Sequence, residues 1–120
     1  MELKRSEVDN VIVLELEGKI IGGGDVSTLN EAVHQDLDKG KNQFVIDLAQ
    51  VDMINSSGLG LLIGALTAVR NQNGDIKLAN VTEKIKNLLK ITKLDKVFEI
   101  YPDVKQAVGS VVPSKTTSSS

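Results

Sequence analysis

Asp47-Leu48-Ala49-Gln50-Val51-Asp52-Met53-Ile54-Asn55-Ser56-Ser57-Gly58-Leu59-Gly60 carries the chain from a strand through a short loop into a helix. Its start overlaps Phe44-Val45-Ile46-Asp47-Leu48, a nearly continuous apolar run bounded by polar residues. Apolar side chains on both faces mark a strand covered on both sides, as at the centre of a parallel sheet. The run feeds a short loop that delivers two hydroxyls to the start of a helix, whose pattern runs over residues 57–73. Asn55 or Ser56 can cap that helix by accepting from its free N–H groups. The positive end of the helix dipole lies there too, so added negative charge is stabilised by about 0.3–1 kcal/mol.

Working outward, Asn73-Gly74 stops the helix before a short strand over 75–79. On the N-terminal side, residues 3–8 and 11–17 are β-prone runs separated by Asp9-Asn10, which predicts a hairpin. Gly18 and Gly22-Gly23-Gly24 punctuate the chain. Asp25 then serves as N-cap of a helix with Val26, Leu29, Val33 and Leu37 on one face, ended by Gly40. On the C-terminal side, Thr82 caps a helix carrying Ile85, Leu88 and Leu89, and residues 97–101 form a last strand. Pro102 suits the first turn of a final helix with Val104, Ala107 and Val108. Alternating strands and helices after a hairpin predict one α/β domain over residues 1–111, a mixed sheet of about five strands with four helices and right-handed crossovers. Residues 112–120 lack apolar periodicity and read as a flexible Ser/Thr-rich tail.

Composition narrows the function. The 120 residues suit a single core, and 41% hydrophobic with 25% charged residues is the balance of a folded domain. Only Phe44, Phe98 and Tyr101 are aromatic, which leaves bases little to stack on. A net charge of −2 with no long basic run argues against binding to nucleic acid phosphates. Without cysteine there is no disulfide, thiol nucleophile or thiolate metal site. No spanning apolar segment or signal-type segment is present, so the expectation is a cytoplasmic protein without membrane or direct nucleic acid partners.

The helix after the two serines offers a docking surface. Leu59, Leu62, Ile63, Leu66 and Val69 make an i, i+3, i+4 stripe for the core. Gly60, Leu61, Gly64, Ala65 and Ala68 would then form an outer apolar face of low bulk, unless they pack under a neighbouring element.

The 47–60 segment resembles the signature of the anti-sigma-factor antagonists, the group that gives its name to the STAS (sulfate transporter and anti-sigma antagonist) domain. The resemblance covers roughly residues 1–110 and rests on Asp47-Leu48, Val51, Ile54, Ser56-Ser57-Gly58-Leu59-Gly60, the hairpin with Gly18 and the order of elements. It implies that Ser56, with Ser57 as the alternative, is phosphorylated by a partner that is both anti-sigma factor and serine kinase. The unmodified form binds that partner, the phosphorylated form binds poorly, and a phosphatase of the PP2C type restores it. The implied partner-binding set is Asn55, Ser56, Ser57, Gly58, Gly60, Leu61 and Gly64. Two positions depart from the family pattern. Asn55 stands where many members have Asp, and Ile21 stands where many have an Asp three residues after the hairpin glycine. The longer Gly22–Asp25 loop can return the Asp25 carboxylate near the phosphosite.

Two other readings stand beside this one. In the first, the chain is a STAS scaffold or transporter-associated module whose serines are only helix caps. In the second, a small nucleotide-binding protein, Gly22-Gly23-Gly24 would cradle phosphate. That loop lacks the Gly-Lys-Ser/Thr ending or the spaced strand-to-helix glycines such sites need. His34, the single histidine, falls on the polar side of its helix, and Asp47 and Asp52 lack further ligands, so no enzymatic activity, metal or cofactor is expected.

Overall fold

Two residues in the left-handed region, Asp9 at φ 51° and Asn10 at φ 68°, close the first hairpin. Positive φ at both central positions is the two-residue turn whose twist matches flanking strands, and Asp and Asn tolerate it best after glycine. The hairpin joins β1 (Glu2–Val8) to β2 (Val11–Ile20), antiparallel with Val8 opposite Val11 and Leu3 opposite Leu16. The computed structural model describes residues 2–21 and 24–111, and for residues 24–26 the backbone only. Residues 112–120, Gly22-Gly23 and the Asp25 carboxylate, on which expectations were placed, lie outside the described residues.

After the hairpin come α1 (Gly24–Asp38), β3 (Gln43–Ile54), α2 (Ser56–Arg70), β4 (Asp75–Ala79), α3 (Glu83–Ile91), a 3₁₀ turn (Leu94–Lys96), β5 (Glu99–Tyr101) and α4 (Val104–Val111). The five strands lie in sequence order, with β2 to β5 mutually parallel. Stepping the same way at every right-handed crossover puts α1, α2 and α3 on one face. The core reflects this. Ile12, Leu14, Leu16, Phe44, Ile46, Leu48, Ile76 and Leu78 pack with residues of those three helices. On the other face Val11, Val13, Val45 and Ala79 meet Ala107 and Val108 of α4. The 44–46 run is thus buried from both sides, as its lack of alternation required.

Several boundaries differ from the expectation. β3 does not give way to a loop after Leu48 but continues to Ile54, because a lengthened, twice-irregular β2 keeps pairing with it as far as Ile20–Ile54. Helix α1 begins at Gly24, so Asp25 falls inside the first turn and is not its cap. Helix α2 ends at Arg70. Asn73 enters the left-handed region at φ 64° and the Gly74 N–H returns to the Val69 carbonyl at 3.0 Å. The last strand begins at Glu99 because the Val97 and Phe98 N–H groups both donate to the Leu94 carbonyl, at 3.0 Å each, and have none left for a ladder. Pro102 precedes α4, and Asp103 takes the capping role by accepting from the Gln106 N–H at 2.8 Å. Thr82 caps α3 as expected, its hydroxyl oxygen accepting from the Ile85 N–H.

Two ionic fasteners hold the sheet margins. Arg5 on β1 grips the buried Asp36 of α1 with Nε at 2.9 Å and a terminal nitrogen at 2.6 Å. On the far side Lys77, only 8% exposed, bridges Asp75 at 2.9 Å and Glu99 at 3.0 Å, tying β4 to the short edge strand β5.

Candidate protein-binding site at the start of helix α2

The one residue between β3 and α2 is Asn55, held extended at φ −97° and ψ −176°. Its Oδ1 accepts from the Gly58 N–H at 2.8 Å, its backbone N–H donates to the Ile20 carbonyl at 3.3 Å, and its Nδ2 donates to the Ile21 carbonyl at 3.4 Å. One amide therefore caps the helix with its oxygen and fastens it to the end of β2 with its nitrogen. Gly58 completes the joint. A Cβ there would collide with the Ile20 carbonyl oxygen and with Ile54, so α2 can approach β2 this closely only without a side chain.

Ser56 and Ser57 begin the helix and are both exposed. Asn55 does the capping, and among the described residues neither hydroxyl has a protein hydrogen-bond partner. No acidic side chain sits in the first turn. An anion on Ser56 would meet unpaired backbone N–H groups and the positive helix end.

Helix α2 faces differently from the sequence expectation. Leu59, Leu62, Leu66 and Val69 are buried as expected, and so are Gly58, Leu61 and Ala65. Leu61, placed on the outer face by the sequence reading, is only 6% exposed, and Gly58 is likewise withdrawn from a partner's reach. Ile63, assigned to the core, is 37% exposed. The reason is that α1 packs beside α2, so the buried arc spans a sheet and a helix and is wider and rotated relative to a single stripe. The remaining arc carries Ser56, Ser57, Gly60, Ile63, Gly64 and Thr67, with nothing within contact distance of the missing side chains of Gly60 and Gly64. Of the residues singled out from sequence, Asn55, Ser56, Ser57, Gly60 and Gly64 thus share one surface. Ile63 is the surface residue that reading missed, and counting its 40° offset from Leu59 against two packing neighbours was the available signal.

Other polar candidates are accounted for locally. Asp47, within β3, accepts from the Ala49 N–H at 3.0 Å and from Nδ2 of Asn80, just past β4, at 3.1 Å. His34 is exposed on α1. Among the described residues no group of three or more His, Asp or Glu converges to hold a metal, and no helix is long and apolar enough to cross a membrane.

A sheet ordered β1 to β5 behind a hairpin, with a capped helix presenting serines at its start, is the architecture of STAS domains. The model of the STAS domain family matches residues 2–107, and the chain belongs to that family. It is 32% identical over 75 residues to a candidate anti-sigma factor antagonist of Thermotoga neapolitana, covering 62% of this chain and 66%, just under two thirds, of that one. It is 36% identical over 55 residues to the anti-sigma-B factor antagonist of Bacillus subtilis, 46% of this chain and 50% of that protein. The crystal structure of a candidate anti-sigma factor antagonist from Thermotoga maritima superposes with a TM-score of 0.83 at 25% identity, covering 92% of this chain and 95% of that chain.

Proposed function

We propose that this chain is an anti-sigma factor antagonist: a partner-switching protein that sequesters an anti-sigma factor with serine kinase activity and releases it when Ser56 is phosphorylated. A phosphatase of the PP2C type resets the switch. The observation that carries this reading is the division of labour at the start of α2. Asn55 and Gly58 anchor the helix, which leaves the Ser56 hydroxyl exposed and without structural duty. Phosphate adds about −1.5 to −2 charges and three acceptors. Placed amid Gly60, Ile63 and Gly64, it would impose desolvation on any partner packed there while the fold, capped elsewhere, stays intact.

The reading of the serines as mere caps loses its physical basis, because the cap is an asparagine. The named relatives, candidate and established anti-sigma factor antagonists, support the choice over a transporter-associated scaffold. The test is calorimetric titration with the anti-sigma factor kinase of the same organism. Ser56→Ala should bind as wild type and resist phosphorylation, and Ser56→Asp should bind at least about tenfold more weakly with an unchanged melting temperature. Equal affinity of wild type and Ser56→Asp would contradict the proposal.

A further inference from the structure

Beyond Asp47, β3 pairs with β2 on one side only, and its other side opens towards helix α3. β4 pairs with β3 only as far as Asp47, so Met53 and Ile54 face α3 across a groove of about 280 Å³. The groove is lined by Met53, Ile54, Ile85, Leu88 and Ile91, with Lys84 and Asn87 at its rim. Ile91 is 78% exposed, the most exposed large apolar residue described. An aliphatic side chain standing that far out on the edge of an apolar groove is poorly explained by this chain's own packing.

Charge sets the same region apart. Residues 82–97 hold Lys84, Lys86, Lys90, Lys93 and Lys96 against Glu83 and Asp95, a net +3, while the rest of the chain, with nine Lys or Arg and fourteen Asp or Glu, carries −5. None of the five lysines takes part in an ion pair among the described residues. Of the five only Lys84 lines the groove, while Lys86 and Lys90 lie on other sides of α3 and Lys93 and Lys96 follow it, so their charge acts on an approaching partner as a field around the helix and not as contacts in the groove. The groove also adjoins the phosphosite: Ile54 precedes Ser56 by two residues, about 7 Å of extended chain.

We infer that the α3 groove is a second docking point for the partner that reads Ser56, and that it takes an acidic segment inserting an apolar side chain between Met53, Leu88 and Ile91. The lysine field steers that segment in and the groove holds it. This rests on the Ser56 switch reading and adds a second action to it. A phosphate of about −2 placed beside a +3 field cancels much of the attraction, so modification slows the encounter as well as spoiling the contact. A concave, apolar floor fits a protruding side chain better than it fits the plane of a membrane.

The test follows association and dissociation of the full chain with the same organism's anti-sigma factor kinase at low and high salt. Ile91→Ser should weaken binding about tenfold, mostly through faster dissociation. The double change Lys84→Glu with Lys90→Glu should slow association about tenfold at low salt and much less at high salt. All three side chains are exposed, so melting temperatures should stay at the wild-type value. Wild-type kinetics in both variants, with Ser56→Asp still weakening binding, would overturn the groove and leave the switch standing. Loss of binding in both variants with Ser56→Asp unaffected would do the reverse. Should both variants bind the kinase normally, and the lysine changes instead abolish sedimentation with phosphatidylserine vesicles, the patch belongs to anionic membranes and the inference fails.

Discussion

Asn55 shows how one side chain settles a question its neighbours leave open. Asn and Ser are near-equal caps, and either of residues 55 and 56 satisfied the local rules. What decides between them arrives from the end of β2: the Ile20 carbonyl accepts from the Asn55 backbone N–H and fixes residue 55 ahead of the helix, and the Ile21 carbonyl accepts from the Asn55 side-chain Nδ2. Asn55→Ala should therefore lower stability by about 1 kcal/mol in urea titration, whereas Ser56→Ala should change it by less than about 0.5 kcal/mol. Asn55→Asp should fall between, keeping the acceptor for Gly58 and losing the donor to Ile21. Gly58→Ala is the severe change, expected to cost about 1–3 kcal/mol because its Cβ meets a backbone carbonyl that cannot move aside. The motif's glycine was legible as a motif residue, but its reason, the close approach of β2, required the sheet.

At the scale of elements, pattern alone located all five strands and four helices and left their facing open. A period of 3.6 tells which residues share a side of α2 and not how many neighbours that side will have. With α1 alongside, Leu61 and Ala65 go inward and Ile63 turns out. Ile63→Asp should then leave urea stability within about 0.5 kcal/mol and weaken partner binding, whereas Leu61→Asp should unfold much of the protein. The length of β3 was hidden for a related reason. Residues 49–53 alternate poorly and include Asp52, yet the irregular β2 follows them to Ile54. Strand ends set by a partner with two register shifts leave little trace in one segment's sequence.

The whole molecule is a sheet with two exposed margins, each fastened by buried or half-buried charge. At the β4–β5 margin the Asp75 carboxyl, although raised by burial, is held below its ordinary range by Lys77 and the Ile76 N–H. The Glu99 carboxyl is lowered by the Tyr101 hydroxyl and then Lys77. Burial pulls the Lys77 ammonium down, but Asp75 and Glu99 outweigh it and hold it above its usual value. Depressed carboxylates contribute stability that is complete above their unfolded values near 4 and disappears as pH falls through the folded ones. The raised lysine contributes below about 10.4 and ceases as pH rises through its folded value. The urea midpoint should hence be flat between about pH 5 and 10 with respect to this cluster and fall on both sides. Lys77→Met should lower it by about 1 kcal/mol at neutral pH and shallow the acid limb, the cost staying small because both carboxylates can rehydrate. The order of elements was readable at this scale because alternation and handedness leave few topologies. The lysine bridge was not, since residues 75, 77 and 99 meet only after β5 takes its edge.

All three scales converge on an exposed hydroxyl that the fold does not need. The direct measurement is to incubate the chain with the anti-sigma factor kinase proposed as its partner and ATP, locate the phosphate by peptide mass spectrometry, and compare affinity and melting of the two forms. A single phosphate on Ser56, an affinity lower by at least about tenfold and an unaltered melting temperature are expected. Phosphate found elsewhere, or a Ser56 phosphoform that binds as tightly as the unmodified chain, would contradict the switch.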